Sequence, residues 1–232
     1  QGNLIQEEDV RRASNITPVA IFGAGLGAAQ VLDVLRLLPQ FQPVALADDS
    51  KKLQGQRIGG YPVYGMTELR KAISNGKIQA VVVSLHSEFR RSVYQRLRNE
   101  FPDVSFPAVI HPSTYIGDGV VIEDGVLVEA GAVIGTETVI HEGTIVDMGV
   151  TISHHCEIGS FCHLAPGCTI SGDVKILENT VVMAGATVNN TSTIGSNVVV
   201  TPGSAVASDT IGNNVVVHGN PARIIGRSKR GG

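Results

Sequence analysis

The second half of the chain repeats every six residues. Counting in steps of six from Ile110 to Val206, each of the seventeen positions holds Ile, Leu or Val. These residues make up roughly a quarter of the chain, so chance agreement is on the order of one in a billion for so strict a period. The repeat predicts a parallel β-helix, a prism of three flat sheets with one hexapeptide on each face.

The repeat also predicts which residues stack. With three hexapeptides in each coil, residues 18 apart in the sequence lie one strand spacing apart in successive coils. Cys156, Cys162 and Cys168 all fall on a small inward position. We therefore expect three buried thiols that act as small hydrophobic groups rather than as metal ligands or nucleophiles.

Three histidines lie together in the middle of the repeat. His154, His155 and His163 fall within ten residues, and imidazoles have no structural use on the outside of a prism. Gly172 follows His154 by 18 residues and should stack directly on it. The cluster therefore indicates a functional site in the β-helix.

The first half of the chain alternates β-type and α-type patterns. Gly23 and Gly25 lie at the first strand-to-helix turn, where backbone N–H groups and the helix dipole can hold phosphate. Asp48 and Asp49 end the second strand, where an acid meets ribose or base in nucleotide-binding α/β units. A nucleotide-derived ligand is expected, with a tight packing turn and two solvated acids as the alternative. One half-fold of this size favours a sugar nucleotide carrying UDP or dTDP over NAD.

Composition narrows the partners. The chain has 18 Lys and Arg against 21 Asp and Glu, a formal net charge of −3, which gives no basic field for nucleic acid. The sequence has no run of 18 apolar residues and no apolar segment typical of a signal peptide. Together with only three cysteines, this predicts a cytoplasmic protein with no membrane partner.

Several segments carry a resemblance to a known family. The residues in question are VALADDS, YPVYG, EFRRSVYQRL, VIHPSTYIG, ISHHCEIGSFCHLAPG and GNPARIIG. Over about residues 18–226 the chain resembles the left-handed β-helix sugar N-acetyltransferases that act on nucleotide-linked amino sugars, typified by the bacillosamine-pathway acetyltransferase. The resemblance implies an enzyme that uses acetyl-CoA as co-substrate and needs no metal. It also implies a homotrimer with acetyl-CoA in the groove between two prisms.

The resemblance divides the chain into four parts. They are an N-terminal extension (1–17), a Rossmann-like α/β domain that binds the nucleotide sugar (18–109), an all-β left-handed parallel β-helix that carries the acyltransferase site (110–211) and a C-terminal tail (212–232).

Site residues follow from the same resemblance. It implies that His154 is the catalytic base, that His163 positions the acetyl thioester and that the Gly172 N–H binds the thioester oxygen. It places the backbone of Ala184 against the pantetheine arm of acetyl-CoA. The residues it places near the nucleotide sugar are Asp48, Asp49 and Arg90, beside the turn of Gly23 and Gly25.

Two positions depart from the family. His155 stands where the family has an acid, and Asp147 stands where it has an amide. We therefore hypothesise that Asp147 is catalytic and orients His154 across a corner of the prism, within one subunit or between two. The trimer is further supported by outward-facing apolar residues, namely Val121, Leu127, Val133, Val139, Ile145, Val181 and Val199.

Alternatives stay open at this point. A sugar O-acetyltransferase of the sialic-acid type has the same layout. A zinc-dependent β-helix of the carbonic anhydrase type also builds its site from histidines, although the usual His pair five residues apart is missing here. A non-catalytic binding scaffold is the third alternative, and acetyl-CoA turnover separates it from an enzyme.

Overall fold

The computed structural model describes residues 16–85, 89–207 and 210–230. The predicted N-terminal extension lies outside the described residues except for its last two, as do the last two residues of the tail. The described residues form two compact units, one of 16–85 with 101–106 and one of 89–100 with 107–230. Within them, no helix is long and apolar enough to cross a membrane.

The first unit is a small α/β fold. Its elements are β1 (Thr17–Phe22), α1 (Leu26–Arg36), β2 (Phe41–Ala47), β3 (Arg57–Ile58), β4 (Tyr61–Tyr64), α2 (Met66–Ser74) and β5 (Ala80–Val83). The sheet has the order β3-β4-β2-β1-β5, and only the β3–β4 pair is antiparallel. All four residues of β5 are buried, as expected for a parallel strand covered on both faces.

The order of the sheet defines a switch point. The chain runs from β1 to β2 and β4 on one side and then crosses to β5 on the other side of β1. In open α/β sheets, ligands bind at the carboxyl ends of the strands where the order reverses. The turns after β1, β2 and β5 therefore form the candidate ligand-binding edge of this unit.

The second unit begins with α3 (Arg90–Glu100) and continues as the β-helix. Its two-residue strands follow at steps of six. They are β6 (Val109–Ile110), β7 (Tyr115–Ile116), β8 (Val121–Ile122), β9 (Leu127–Val128), β10 (Val133–Ile134), β11 (Val139–Ile140), β12 (Ile145–Val146), β13 (Thr151–Ile152), β14 (Glu157–Ile158), β15 (His163–Leu164), β16 (Thr169–Ile170), β17 (Lys175–Ile176), β18 (Val181–Val182), β19 (Thr187–Val188), β20 (Thr193–Ile194), β21 (Val199–Val200), β22 (Ala205–Val206) and β23 (Thr210–Ile211). The chain ends with β24 (Val215–Gly219) and β25 (Ala222–Arg227).

Every third strand pairs in parallel to form three faces. Face 1 runs from β6 to β24 and adds β25, face 2 runs from β7 to β22, and face 3 runs from β8 to β23. Ile152 pairs with Ile134 and Ile170, the residues 18 before and after it. The prediction of a β-helix with a stacking distance of 18 residues is confirmed.

Inward aliphatic residues form the core of the prism. Val128, Ile134 and Ile140 are at most 1% exposed, whereas Ile116 in the first coil is 42% exposed because no earlier coil stacks beneath it. Cys156 and Cys162 are free and buried, as is the third cysteine of that coil. The inward prediction for the thiols is confirmed, and burial raises the pKa of Cys162 to about 12.

Each corner of the prism contains one residue with positive φ. Glycine fills many of these positions, for example Gly125 and Gly143 (φ 68° and 67°), because it lacks the Cβ that disfavours this conformation. Glu137 and His155 fill the same position with φ 56° each. His155 is thus held in the left-handed region by the corner geometry of the coil.

Helix α3 packs on the corner between faces 3 and 1. Arg90 is 4% exposed, and its Nε and Nη2 atoms donate to the carbonyl oxygens of Gly143 and Gly125 at 2.7 and 2.9 Å. Tyr94 meets Phe161 edge to face with ring centroids 5.5 Å apart. The compact units therefore divide before α3 and not at residue 109, because these contacts tie the helix to the coils.

The predicted C-terminal tail also belongs to the β-helix unit. Strand β24 pairs with β21, and β25 folds back on β24. Further on, Arg230 donates to the backbone and side-chain oxygens of Asn179 at 3.0 and 3.1 Å. Residues 215–230 therefore continue face 1 and line a corner of the prism, because their backbone groups find partners there.

The outward apolar positions are less exposed than predicted. Leu127, Ile145 and Val181 are all buried within the single chain. Val121 and Val133 remain 50% and 38% exposed, on faces 3 and 2. The argument for a trimer therefore has less apolar surface behind it than the repeat alone indicated.

Candidate functional site

His154 lies in the turn between β13 on face 2 and β14 on face 3, and its side chain is exposed. Its carbonyl oxygen accepts the N–H of Asp173 from the next coil at 2.9 Å. A Cβ placed on Gly172 would lie 2.6 Å from Cε1 and 2.7 Å from Nε2 of the His154 ring. The ring therefore covers Gly172, as the distance of 18 residues predicts.

Gly172 is needed for close approach rather than for its backbone conformation, because it is not among the positive-φ residues. Among the described residues, none accepts the Gly172 N–H, while its carbonyl oxygen accepts the N–H of Thr191 at 3.1 Å. An imidazole and an unused backbone donor thus lie side by side at one corner. This is the pair of groups that acyl transfer uses.

The second ring at this corner is His155. Its Nδ1 lies 3.1 Å from Nδ1 of His154, and the two rings meet edge to face at 82°. The N–H of His155 donates to the carbonyl oxygen of Thr136 at 2.9 Å. The sequence interpretation treated His155 only as the absence of an acid, and its hydrogen bond to His154 was missed. The adjacency of two histidines at a corner was the signal.

Asp147 differs from the sequence hypothesis. It is 6% exposed, and its Oδ2 atom lies 3.3 Å from Nε2 of His163, while Oδ1 accepts the N–H of Met148 at 3.0 Å. His154 has no such contact with Asp147 within the described chain, so the hypothesis that Asp147 orients His154 is corrected for one subunit. The carboxylate partners His163, because both residues belong to adjacent strands of face 1.

His163 and Ala184 lie away from His154 in one chain. His163 is in β15 on face 1, whereas His154 is at the corner between faces 2 and 3, on the other side of the hydrophobic interior. Ala184 follows β18 at the exposed corner between faces 1 and 2, and its carbonyl oxygen accepts the N–H of Gly203 at 3.0 Å. One chain therefore does not bring the three predicted acetyl-CoA contacts together with the base.

The turn after β1 is tightly built. Gly23 has φ 103°, and a Cβ there would lie 2.7 Å from Oγ of Ser84. Ser84 is buried and donates to the Gly23 carbonyl oxygen at 2.7 Å. Gly25 is the N-cap of α1 and would carry a Cβ without contact. Ser84 was not among the predicted residues, since only the sheet order places it beside this turn.

The two acids after β2 have different surroundings. Both carboxylate oxygens of Asp48 accept backbone N–H groups, from Ala24 at 2.8 Å and from Ser50 at 2.7 Å. Asp48 thus ties the turn after β1 to the turn after β2. Asp49 is exposed. Asp49 is therefore the better candidate for contact with a ligand, and Asp48 is a structural residue of this turn.

Arg90 was also predicted near the nucleotide. Its guanidinium instead donates to carbonyl oxygens of the β-helix corner, and burial lowers its pKa to about 10. In this chain Arg90 anchors α3, which corrects the predicted role. Within the described ranges, no group of three or more His, Cys, Asp or Glu side chains is arranged to hold a metal ion.

Two protein families match parts of the chain. Residues 18–97 match the PglD N-terminal domain, and residues 137–172 match the bacterial transferase hexapeptide (six repeats). A curated relative, the redox-sensing transcriptional repressor Rex of Natranaerobius thermophilus, is 34% identical over 85 residues. That match covers 36% of this chain and 39% of the length of the relative.

Solved structures match the two units together. PerB from Caulobacter crescentus, solved with CoA and GDP-perosamine, has 28% identity and a TM-score of 0.80, covering 91% of this chain and 98% of its own. The acetyltransferase domain of PglB from Neisseria gonorrhoeae, with acetyl coenzyme A, has 28% identity and a TM-score of 0.80, covering 90% and 100%. WeeI from Acinetobacter baumannii has 26% identity and a TM-score of 0.79, covering 90% and 100%.

The predicted resemblance is confirmed by these matches, since they cover nearly the whole described chain and include both units. The chain therefore carries a PglD N-terminal domain followed by a bacterial transferase hexapeptide domain, the two-part arrangement of sugar N-acetyltransferases.

Proposed function

We propose that this protein transfers the acetyl group of acetyl-CoA to the amino group of a nucleotide-linked amino sugar. The observation that carries the proposal is the His154 ring over Gly172, a base beside a backbone donor. It is supported by the similarity to PerB, whose structure holds CoA and GDP-perosamine, and to the PglB acetyltransferase domain, whose structure holds acetyl coenzyme A.

The chemistry follows from these two groups. The sugar amine attacks the thioester carbonyl carbon, and a bond forms between nitrogen and carbon. His154 accepts the amine proton, while the Gly172 N–H donates to the carbonyl oxygen as negative charge develops there. The carbon–sulfur bond then breaks, and the CoA sulfur takes a proton. His154 returns to its neutral form, so it serves as general base.

Asp147 supports this reaction through His163 rather than through His154. The buried carboxylate accepts from the ring Nε2 at 3.3 Å, which holds the imidazole in one orientation on face 1. The other ring nitrogen, Nδ1, then remains for the thioester or the pantetheine arm. We assign His163, Asp147 and the exposed turn of Ala184 to the binding of acetyl-CoA.

The position of these groups supports a homotrimer. His154 and His163 lie on opposite sides of the prism interior in one chain, so both can contact one acetyl-CoA only if two copies meet. A closed ring of three copies places the corner of faces 2 and 3 of one copy against face 1 of the next. The apolar side chains of Val121 and Val133 would be covered there.

The first unit supplies the contacts to the nucleotide in this proposal. Asp49 is exposed at the carboxyl end of β2, where an acid can accept hydrogen bonds from ribose hydroxyls or a base N–H. The turn of Gly23 and Gly25 borders the same switch point. The preference for UDP or dTDP over NAD stays a prediction. The three free, buried thiols fit a cytoplasmic location.

The test is acetyl transfer with purified protein. Acetyl-CoA is incubated with GDP-perosamine and with UDP- and dTDP-linked amino deoxysugars, and product is measured by mass spectrometry. We expect an acetylated nucleotide sugar that survives hydroxylamine, because an amide resists this reagent and an ester does not. Cleavage by hydroxylamine would support the sialic-acid type of O-acetylation instead. No product with any amino sugar would favour a binding scaffold.

A further inference from the structure

We propose that His155 is a positioning residue that holds His154 in the tautomer able to act as base. This inference rests on the proposed function, because it concerns the same imidazole. It assigns to a second histidine the task for which an acid was expected. The argument uses the ring geometry, the backbone of the corner and the requirements of proton transfer.

The first step is the direction of the His154 ring. The Cε1–Nε2 edge lies nearest Gly172, at 2.6 and 2.7 Å from a Cβ placed there, while Nδ1 is farther away at 3.3 Å. Nδ1 instead lies 3.1 Å from Nδ1 of His155. Nε2 therefore lies beside the donor that would hold the thioester oxygen, and the substrate amine must approach this nitrogen.

The second step is the position of the hydrogens. A neutral imidazole carries one N–H and one lone pair. If Nε2 of His154 accepts the amine proton, its Nδ1 must carry the hydrogen in the resting enzyme. That hydrogen is donated to Nδ1 of His155, whose own hydrogen is then on Nε2. The 3.1 Å contact is thus a hydrogen bond with one defined donor.

The third step is the fixed position of His155. Its backbone has φ 56°, and its N–H donates to the carbonyl oxygen of Thr136 at 2.9 Å. The neighbouring coil also fixes His154, because its carbonyl oxygen accepts the N–H of Asp173 at 2.9 Å. Since both backbones are held by adjacent coils, the two rings meet without a flexible loop between them.

The consequence for the reaction is defined. The amine proton moves to Nε2 of His154 as the carbon–nitrogen bond forms, and His154 becomes an imidazolium. Its Nδ1–H remains donated to His155, so part of the positive charge is shared with the second ring. The proton passes to the CoA sulfur as the carbon–sulfur bond breaks. No further reactant is needed.

The direct test is the tautomer of His154. Protein labelled with ¹⁵N in histidine rings is studied by NMR in the absence of substrate, with His154→Ala used to assign the signals. We expect the hydrogen of neutral His154 on Nδ1 in the wild-type protein. In His155→Gly we expect the Nε2–H form to gain population. Glycine suits this variant because the corner requires positive φ.

Kinetics supply the second readout. His155→Gly should lower kcat by about 10-fold to 100-fold, part of the contribution of a general base, with little change in KM for acetyl-CoA. His155→Asn keeps an acceptor and tolerates positive φ, so it should stay within about 3-fold of wild type. Glu137→Gly is the matched control, because Glu137 has the same φ of 56° and its carboxylate lies over Gly119 in the preceding coil.

The outcomes separate the two proposals. A wild-type His154 with its hydrogen on Nε2 overturns the positioning role, whatever the activities. A His155→Gly protein that runs at the wild-type rate also overturns it. If His154 carries its hydrogen on Nδ1 but no nucleotide amino sugar is acetylated, the tautomer assignment is upheld and the proposed function is overturned.

Discussion

The histidine corner of the β-helix and the glycine turn of the first unit were both predicted from residue spacing, yet the structure treats them differently. In the β-helix, the distance of 18 residues became a contact between His154 and Gly172. In the first unit, Asp48 also reached the predicted turn, but its carboxylate is taken up by the N–H groups of Ala24 and Ser50. Being close to a motif and being available to a ligand are therefore different properties.

The difference has a physical origin. In a coil of the β-helix, the backbone N–H and C=O groups pair with the coils before and after, for example His155 with Thr136. Corner side chains are then not needed to satisfy the backbone and can serve a reaction. The turns after β1 and β2 leave N–H groups without strand partners, and the nearest carboxylate satisfies them.

The largest expected effect tests the corner itself. His154→Ala should lower kcat by about 10²-fold to 10⁴-fold, the usual contribution of general-base catalysis, with little change in KM for acetyl-CoA. Steady-state kinetics measure both constants, and circular dichroism checks that the β-helix is intact. A variant as fast as wild type would remove His154 from the mechanism.

Gly172→Ala sharpens the comparison, because it tests a contact that spacing alone predicted. The new Cβ would lie 2.6 and 2.7 Å from ring atoms of His154, so the ring must move. We expect kcat to fall by about 10-fold to 100-fold at an unchanged melting temperature, since a misplaced base loses most of its contribution. Gly212→Ala is the control, because nothing lies within 4 Å of its Cβ. Equal activities of the two variants would contradict the assignment.

Asp147→Asn tests the corrected partner of the acid. If Asp147 positions His163, the variant should raise KM for acetyl-CoA by about 3-fold to 10-fold and change kcat less, because one charge-assisted hydrogen bond is weakened. Isothermal titration with CoA gives the binding constant independently. A large loss in kcat at constant KM would instead return Asp147 to His154, through contact between subunits.

The smallest effects distinguish the two acids of the first unit. Asp48→Ala should destabilise this unit by about 1 to 3 kcal/mol, because two backbone N–H groups lose their acceptor. Asp49→Ala should leave the stability nearly unchanged and weaken binding of UDP or dTDP in calorimetry. Thermal unfolding and titration of both variants complete the test. The reverse pattern would show that the turn, not the exposed acid, recognises the nucleotide.

Much of the fold could be read from the sequence, because the repeat has a single period. The inward aliphatics, the buried cysteines and the pairing of Ile152 with Ile134 and Ile170 all followed from it and are confirmed. Arg90 shows the limit of motif reasoning. A charged residue in an amphipathic helix does not indicate whether it contacts a ligand or the backbone carbonyls of a distant corner.

The sequence by itself determined the β-helix, its stacking distance and the meeting of His154 with Gly172, because a strict repeat leaves one register in which all aliphatics point inward. Only the tertiary structure decided the partners of individual polar groups. It paired Asp147 with His163, His154 with His155, and Asp48 with the turn of Ala24. Hydrogen bonds are directional and short, so side-chain orientation within a few tenths of an ångström selects among neighbours that spacing treats as equal.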